Sequence, residues 1–206
     1  MLRPRILPME FYTRDTVKVA PDLLGKWLVR VIGDERLIGR IVEAEAYRGK
    51  DDPASHAYRG PTPRNAPMYR GPGHAYVYFT YGNHYCLNIT AQKSGKPGAV
   101  LLRAVQPVGG LASMRRFRPN VPDGELTSGP GKLTKALAID KSLNELDMTV
   151  KGPLFVTEPR GARIIDEIWR STRIGVSEGA DKRWRFYVRG NPYVSKHRGL
   201  REQKFH

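Results

Sequence analysis

An acidic strand segment is the first part of this sequence that could do chemistry. In Ile41–Tyr47, the two-residue period of a strand predicts one face that carries both Glu43 and Glu45. A carboxylate on a half-buried face is costly unless a cation pairs with it. We therefore expect Glu45 to have a cationic partner. By parity, Ile41, Glu43, Glu45 and Tyr47 share that face, and Val42, Ala44 and Ala46 form the core-facing side.

The cation that fits best stands in a second apolar segment. Arg103 is the one charged residue of Ala99–Val105, where an unpaired guanidinium would be expensive to bury. A buried pair between Glu45 and Arg103 satisfies both groups, and the cation would keep the carboxylate ionised, as a general base requires. A purely structural salt bridge is the alternative.

The aromatic run Tyr76–Tyr85 has the pattern of a β-hairpin. Gly82 and Asn83 lie between two strand patterns as a two-residue turn signal, which puts Tyr81 at an exposed tip. A tip aromatic could fill the gap that an extruded nucleotide leaves in a duplex, while other rings stack on the flipped base. Strand parity turns Asn88 away from the main core and makes it a candidate base reader. The stacking candidates are Tyr47, His56 and Tyr78, unless these rings simply cover the sheet.

A glycine-rich turn before a helix pattern could bind phosphate. Ser128–Leu133 offers free main-chain amides and Lys132 at a helix start, without the spacing of a Walker A loop. A helix cap or phosphate anchor is the favoured interpretation of this turn. Lys132 as a Schiff-base nucleophile is the alternative.

A sheet-rich fold must position these residues. Strand-type segments follow one another without intervening helices, which predicts one α+β domain, residues 1–206, with a largely antiparallel sheet and helices outside it. Residues 50–73 are rich in Gly, Pro, Arg and Asn without periodicity and predict a long functional loop. The expected strands are Trp27–Ile32, Leu37–Tyr47, Ala75–Tyr81, His84–Ala91, Ala99–Val105 and Trp184–Val188, and the expected helices lie near Arg14–Leu24, Gly110–Phe117 and Gly131–Ala138.

Composition narrows the class of partner. The 35 Lys and Arg against 20 Asp and Glu give a net charge of +15, which favours nucleic acid over a generically basic surface. The lone Cys86 excludes an internal disulfide. Neither an export signal nor a membrane-length apolar stretch is present, so we expect an intracellular protein without a membrane partner. We predict no metal, because neither His84 with Cys86 nor Asp52 with His56 has a recognisable third ligand.

A series of motifs runs in order along most of the chain. They are Gly39–Tyr47, Thr62–Asn65, Tyr76–Tyr78, Tyr81-Gly82, Leu101–Ala104, Ser128–Pro130, Ala136–Ile139 and Arg185–Gly190. Together they resemble the alkyladenine (3-methyladenine) DNA glycosylase family. The resemblance implies a curved, mostly antiparallel sheet with surrounding helices and a protruding β-hairpin that enters DNA.

The resemblance also implies roles for the site residues. Glu45 would deprotonate the attacking water, Arg103 would help to hold that water, and Tyr81 would intercalate from the minor groove. The base pocket would comprise Tyr47, His56, Tyr78 and Asn88, the last as a filter against guanine. We assign Arg64 and Lys132 as phosphate contacts. The stretch from 140 to 183 resembles the family only loosely and supplies no expected site residue.

The expected activity is that of a monofunctional DNA glycosylase of base excision repair. It would flip alkylated or deaminated purines, of the 3-methyladenine, 7-methylguanine, hypoxanthine and ethenoadenine class, and hydrolyse the N-glycosidic bond without nicking the strand. We expect a monomer on damaged double-stranded DNA, located with the cell's DNA in nucleoid or nucleus, and no cofactor. The rivals are a non-catalytic nucleic-acid-binding domain and a lyase that uses Lys132.

Overall fold

The longest described strand, β2 (Glu35–Tyr47), runs through the middle of the sheet. A computed structural model describes residues 5–93, 95–159, 167–197 and 202–205. The other strands are β1 (Trp27–Ile32), β3 (Ala75–Thr80), β4 (His84–Thr90), β5 (Ala99–Gly109), β6 (Leu154–Thr157), β7 (Ile168–Ser171), β8 (Arg185–Val188) and β9 (Gln203–Lys204). The helices are α1 (Met9–Tyr12), α2 (Thr16–Leu23), α3 (Pro67–Arg70), α4 (Leu111–Phe117) and α5 (Pro130–Ala136), with 3-10 turns at Asp123–Glu125 and Lys141–Leu143.

The described strands form one sheet of order β3-β4-β5-β2-β8-β7-β9. In addition, β1 pairs with β2, and β6 pairs with β1. All the strand pairings are antiparallel. One edge of β2 pairs with β5 along most of its length, and the other edge pairs first with β1 and then with β8. The predicted α+β fold with a mostly antiparallel sheet is therefore confirmed.

The two faces of the sheet have different tasks. Alternate residues of β3, β4 and β5 pack into the main hydrophobic core, together with α2, α4 and α5. The intervening residues of the same strands face the other way and line a cavity. The core-facing set is Ala75, Val77, Leu87, Ile89, Val100 and Leu102, and the cavity-facing set is Tyr76, Tyr78, His84, Cys86, Asn88, Ala99, Leu101 and Arg103.

The parity prediction for β2 was wrong at its centre. The β2–β5 pairing shifts register between Ile41 and Glu43 and again between Glu43 and Ala44, an irregularity of the β-bulge type. As a result Ile41 joins the main core with Ala44 and Ala46, instead of sharing the face of the two glutamates. The sequence pattern of alternating apolar and acidic residues does not reveal a bulge. The regular two-residue period therefore assigned Ile41 to the wrong face of the strand.

The helices α2, α4 and α5 agree with the three predicted helices to within a few residues, whereas the short helix α1 was not predicted. The Asp15 side chain accepts a hydrogen bond of 2.8 Å from the Val17 N–H and caps α2. The start of α5 packs closely on β4, since a Cβ on Gly131 would come within 2.5 Å of the His84 ring. The predicted loop from 50 to 73 contains one element that the sequence analysis missed, the single-turn helix α3.

In the part of the chain that the structure describes, no helix has the length and apolar character needed to cross a membrane.

Candidate active site

A cavity of about 270 Å³ opens on the face of the sheet opposite the main core. Its floor comes from β3, β4 and β5, and its walls come from the loop after β2 and the segment after β7. It is lined by Tyr47, Ala54, Ser55, His56, Met68, Tyr76, Tyr78, Thr80, Tyr81, His84, Cys86, Asn88, Ala99, Leu101, Arg103, Pro130, Ile174, Gly175 and Val176. The aromatic rings and the few polar groups together suit a flat, partly polar ligand.

Glu45 lies directly behind this lining. Its side chain is fully buried, and each of its hydrogen-bond partners lines the cavity. The Tyr47 hydroxyl donates to Oε2 at 2.9 Å, Arg103 Nη1 donates to the same oxygen at 3.2 Å, and the Ile174 N–H donates to Oε1 at 2.8 Å. The carboxylate is thus one side-chain layer away from the cavity, between three groups that a ligand or water there would touch.

Arg103 is shared between two buried glutamates. Its Nε donates to Glu43 Oε1 at 2.9 Å, while its Nη1 reaches Glu45. Glu43 also accepts from Arg185 Nε at 2.7 Å and from the Ser195 N–H at 2.7 Å. The structure therefore brings Glu45 and Arg103 into contact, within a larger charge network than the expected pair.

The charges of this network follow from its contacts. Burial acts to raise the pKa of Glu43, but the Arg103 and Arg185 guanidinium groups outweigh it and hold that pKa below its ordinary value. Burial acts to lower the pKa of Arg103, but Glu45 and Glu43 outweigh it and hold that pKa above its ordinary value. The guanidinium therefore remains charged at neutral pH.

Aromatic side chains form much of the cavity wall. The rings of His56 and Tyr78 meet with centroids 4.7 Å apart, and His56 Nδ1 lies 2.8 Å from the Tyr76 hydroxyl. Burial and the Arg64 charge lower the pKa of His56, which favours the neutral imidazole at pH 7. Burial and the Glu45 charge raise the pKa of Tyr47 well above its ordinary value, so its hydroxyl keeps the proton that it donates.

Two residues of β4 complete the floor. Asn88 is buried, and its Nδ2 donates to the Tyr76 carbonyl at 3.1 Å, which fixes the side chain at the cavity floor. Cys86 lies next to it on the same face, and burial raises the pKa of its thiol to about 11. The thiol is therefore protonated at neutral pH and acts there as a small apolar wall.

The hairpin between β3 and β4 stands at the cavity mouth. Tyr81 lines the mouth, yet its side chain is 79% exposed. Its φ of 50° and that of 69° at Gly82 are both left-handed, and the Asn83 N–H donates to the Thr80 carbonyl at 3.3 Å. The turn is thus centred one residue earlier than predicted. A left-handed tyrosine costs on the order of 1–3 kcal/mol, so this exposed ring is held at the tip against local preference.

The two expected phosphate contacts lie outside the cavity. Arg64 is exposed, donates to the Phe79 carbonyl at 3.2 Å and places its Cζ 5.1 Å from the Tyr78 ring centroid. Lys132 pairs with Glu125 at 3.0 Å and is not part of the cavity lining. It belongs instead to a surface groove beside the hairpin turn, with Asn83, His84, Arg118, Gly129, Pro130, Gly131 and Lys135.

The segment after β7 was wrongly set aside by sequence reasoning. Ile174, Gly175 and Val176 line the cavity, and the Ile174 N–H binds Glu45. A main-chain donor carries no residue-type signal, so the sequence gives no indication of this contact. Asp52, considered above for metal spacing with His56, instead pairs with Arg173 at 2.6 Å.

Within the described residues, no group of three or more His, Cys, Asp and Glu side chains is arranged to hold a metal ion.

Comparisons with known proteins show similarity along most of the chain. The family model described as methylpurine-DNA glycosylase matches residues 10–192. A protein of Carboxydothermus hydrogenoformans is 50% identical over 192 residues, which is 93% of this chain and 99% of that protein. Proteins of Methanocella arvoryzae and Natranaerobius thermophilus are 46% and 44% identical, over 93% and 92% of this chain and 96% and 98% of their own lengths. All three carry the name "Putative 3-methyladenine DNA glycosylase".

The chain belongs to the methylpurine-DNA glycosylase family. It is therefore a DNA glycosylase, a hydrolase that acts on N-glycosyl bonds in DNA, and the family resemblance drawn from the sequence motifs is confirmed.

Proposed function

We propose that this protein excises alkylated and deaminated purines from double-stranded DNA by hydrolysis, with Glu45 as the general base. The substrates are of the 3-methyladenine, 7-methylguanine, hypoxanthine and ethenoadenine class, and the product is an abasic site. The observation that carries the proposal is the position of Glu45 directly behind the cavity wall, where Tyr47, Arg103 and Ile174 donate to its carboxylate and also line a cavity beneath an exposed hairpin tyrosine.

The chemistry follows from the charges around Glu45. A fixed carboxylate takes a proton from the attacking water and also favours the positive charge that develops on the sugar as the base leaves. Arg103 donates to the Glu45 carboxylate at 3.2 Å, and the main-chain N–H of Ile174 donates to its other oxygen at 2.8 Å, so the carboxylate is held from both sides. Bases alkylated on a ring nitrogen are cationic and leave easily, whereas hypoxanthine and ethenoadenine also need a proton.

Binding of the flipped base is assigned to the aromatic walls. The base stacks between Tyr47 on one side and His56 with Tyr78 on the other, and the buried Asn88 crowds the exocyclic amine of normal guanine. Tyr81 fills the gap that the base leaves in the duplex, a role supported by its exposure and its place at the hairpin tip.

The basic surface supports binding to the DNA backbone. A net charge of +15 steers the protein to phosphates, and Arg64 at the cavity rim and Lys132 beside the hairpin are positioned for local contacts. One copy of the chain holds all of the proposed site, so we propose a monomer on DNA, acting where the cell's DNA is.

A base-release assay tests the proposal. A duplex carrying one hypoxanthine or one ethenoadenine is incubated with wild type, Glu45→Gln and Lys132→Ala, and both base release and strand cleavage are followed. We expect Glu45→Gln to release base about 10²- to 10⁴-fold more slowly, as for loss of a general base. Lys132→Ala should retain base release, and none of the three proteins should nick the strand.

Two outcomes would contradict the proposal. Base release by Glu45→Gln at the wild-type rate would remove Glu45 from the mechanism. Strand nicking that disappears in Lys132→Ala would establish a lyase, although this lysine is paired with Glu125 and lies outside the cavity lining.

A further inference from the structure

A fully buried ion pair joins the two walls of the cavity without touching the cavity itself. The side chains of Arg173 and Asp52 are both 0% exposed, and neither lines the cavity. Arg173 Nη1 donates to Asp52 Oδ2 at 2.7 Å, and Nη2 donates to Oδ1 at 2.6 Å. This two-pronged geometry is specific to a guanidinium and a carboxylate and fixes both groups in orientation.

The Asp52 end of the pair is built into the loop after β2. Its Oδ2 also accepts from the Arg48 N–H at 3.0 Å, and its main-chain carbonyl accepts from the Ser55 N–H at 2.9 Å. Ser55 and the following His56 line the cavity. The carboxylate therefore holds the wall that carries the proposed stacking histidine.

The Arg173 end reaches the proposed general base from two directions. The next residue, Ile174, donates its N–H to Glu45 Oε1 at 2.8 Å. The guanidinium Cζ lies 4.6 Å from the Tyr47 ring centroid, and Nη1 donates to the Ala46 carbonyl at 3.0 Å. Arg173 thus adjoins both neutral donors of the Glu45 carboxylate. These donors are the Ile174 N–H and the Tyr47 hydroxyl.

Electrostatics keep this arrangement charged. Burial acts to lower the pKa of Arg173, but the hydrogen bond and the charge of Asp52 outweigh it and raise that pKa above its ordinary value. The ring of Trp184, with its centroid 5.2 Å from Cζ, adds a second aromatic contact to the cation. The guanidinium thus stays charged and links the loop after β2 to the segment after β7 through Asp52.

We propose that Arg173, held by Asp52, is a positioning residue for hydrolysis. It aligns the Ile174 N–H and the Tyr47 ring on the carboxylate of Glu45, and so sets the angle at which Glu45 meets the attacking water. The inference rests on the proposed role of Glu45 as general base. A lysine cannot replace this arginine, because one ammonium cannot span both Asp52 oxygens, the Ala46 carbonyl and the face of an aromatic ring.

Single-turnover kinetics on an ethenoadenine duplex test this role. We expect Arg173→Lys and Asp52→Asn each to lower the maximal rate about 10- to 100-fold, as for a small misplacement of a catalytic group. The enzyme concentration at half-maximal rate should change by less than about threefold, because Arg173 does not touch the bound base. The double variant should be no slower than the worse single variant.

The matched control is Glu158→Gln, which removes the ion pair of Glu158 with the buried Lys26 outside the cavity lining. It should leave the maximal rate of the folded enzyme as in wild type. An Arg173→Lys rate within about threefold of wild type would overturn the inference. So would a loss that matches only a smaller folded fraction. If Glu45→Gln keeps its activity, the proposed function fails instead, which separates the two failures.

Discussion

Two glutamates on one strand, two residues apart, have opposite surroundings. Glu43 accepts from two guanidinium groups and one main-chain N–H, and of these donors only Arg103 lines the cavity. Glu45 accepts from one guanidinium, one phenol and one main-chain N–H, and all three donors line the cavity. Both side chains are fully buried. Residue type, strand and burial are therefore the same, and only the partners differ.

The difference explains why one of the two is suited to chemistry. A carboxylate neutralised by two arginines is stabilised in its charged form and is a weak base, in keeping with the lowered pKa of Glu43. Glu45 shares one arginine with Glu43 and otherwise accepts from neutral donors, so less positive charge faces its carboxylate. Glu43 thus fixes the Arg103 side chain that also contacts Glu45. Because Arg185 pairs with Glu43 alone, Glu45 is the acid of this network that faces less positive charge.

The largest expected effect is a contrast in activity between the two glutamine variants. Glu45→Gln should lower single-turnover base release about 10²- to 10⁴-fold, whereas folded Glu43→Gln should lose about tenfold or less, through the looser hold on Arg103. Release of hypoxanthine from a duplex, measured well below each unfolding midpoint, checks this. Equal losses of activity in the two variants would contradict the contrast between Glu43 and Glu45, since the additional pairing of Glu43 with Arg185 would then make no difference.

Stability should show the reverse order. Glu43→Gln leaves Arg185 without its buried anion and should lower the free energy of unfolding by about 3–5 kcal/mol. Glu45→Gln leaves Arg103 paired with Glu43 and should cost only about 1–2 kcal/mol. Urea unfolding at pH 7 measures both. A Glu45→Gln variant that is the less stable of the two would show that its site, and not that of Glu43, is the structural one.

Much of this arrangement could be predicted from sequence, and the exceptions have physical causes. The apolar surroundings of Arg103 and Glu45 made their contact predictable, and the alternation of β4 gave the correct face for Asn88. The bulge beside Glu43 was not predictable, because pairing irregularities depend on the neighbouring strand. The hydrogen bond from the Ile174 N–H to Glu45 was not predictable either, because every residue except proline has a main-chain N–H. The buried Arg173 lies in a segment without strand-like alternation, so only the folded chain relates it to Asp52.

A smaller effect isolates one donor on the Glu45 side. Tyr47→Phe keeps the stacking ring but removes the 2.9 Å hydrogen bond to Oε2, so base release should slow about 3- to 10-fold, the kinetic equivalent of one ordinary hydrogen bond. Tyr76→Phe is the matched control, because its hydroxyl contacts His56 and not a glutamate. If both variants slow equally, the Tyr47 hydroxyl acts on the cavity in general and not on Glu45.

The smallest expected effect is the dependence of stability on acid pH. Because the folded-state pKa of Glu43 lies below its ordinary value of 4.5, its contribution to stability is complete above that value and is lost as the pH falls towards the lowered one. Wild type should therefore lose stability below about pH 4.5 more steeply than Glu43→Gln, because the variant has no carboxylate at position 43. Urea midpoints of both proteins between about pH 6 and pH 3 measure the two slopes. A Glu43→Gln slope equal to that of wild type would mean that two arginines do not hold Glu43 ionised.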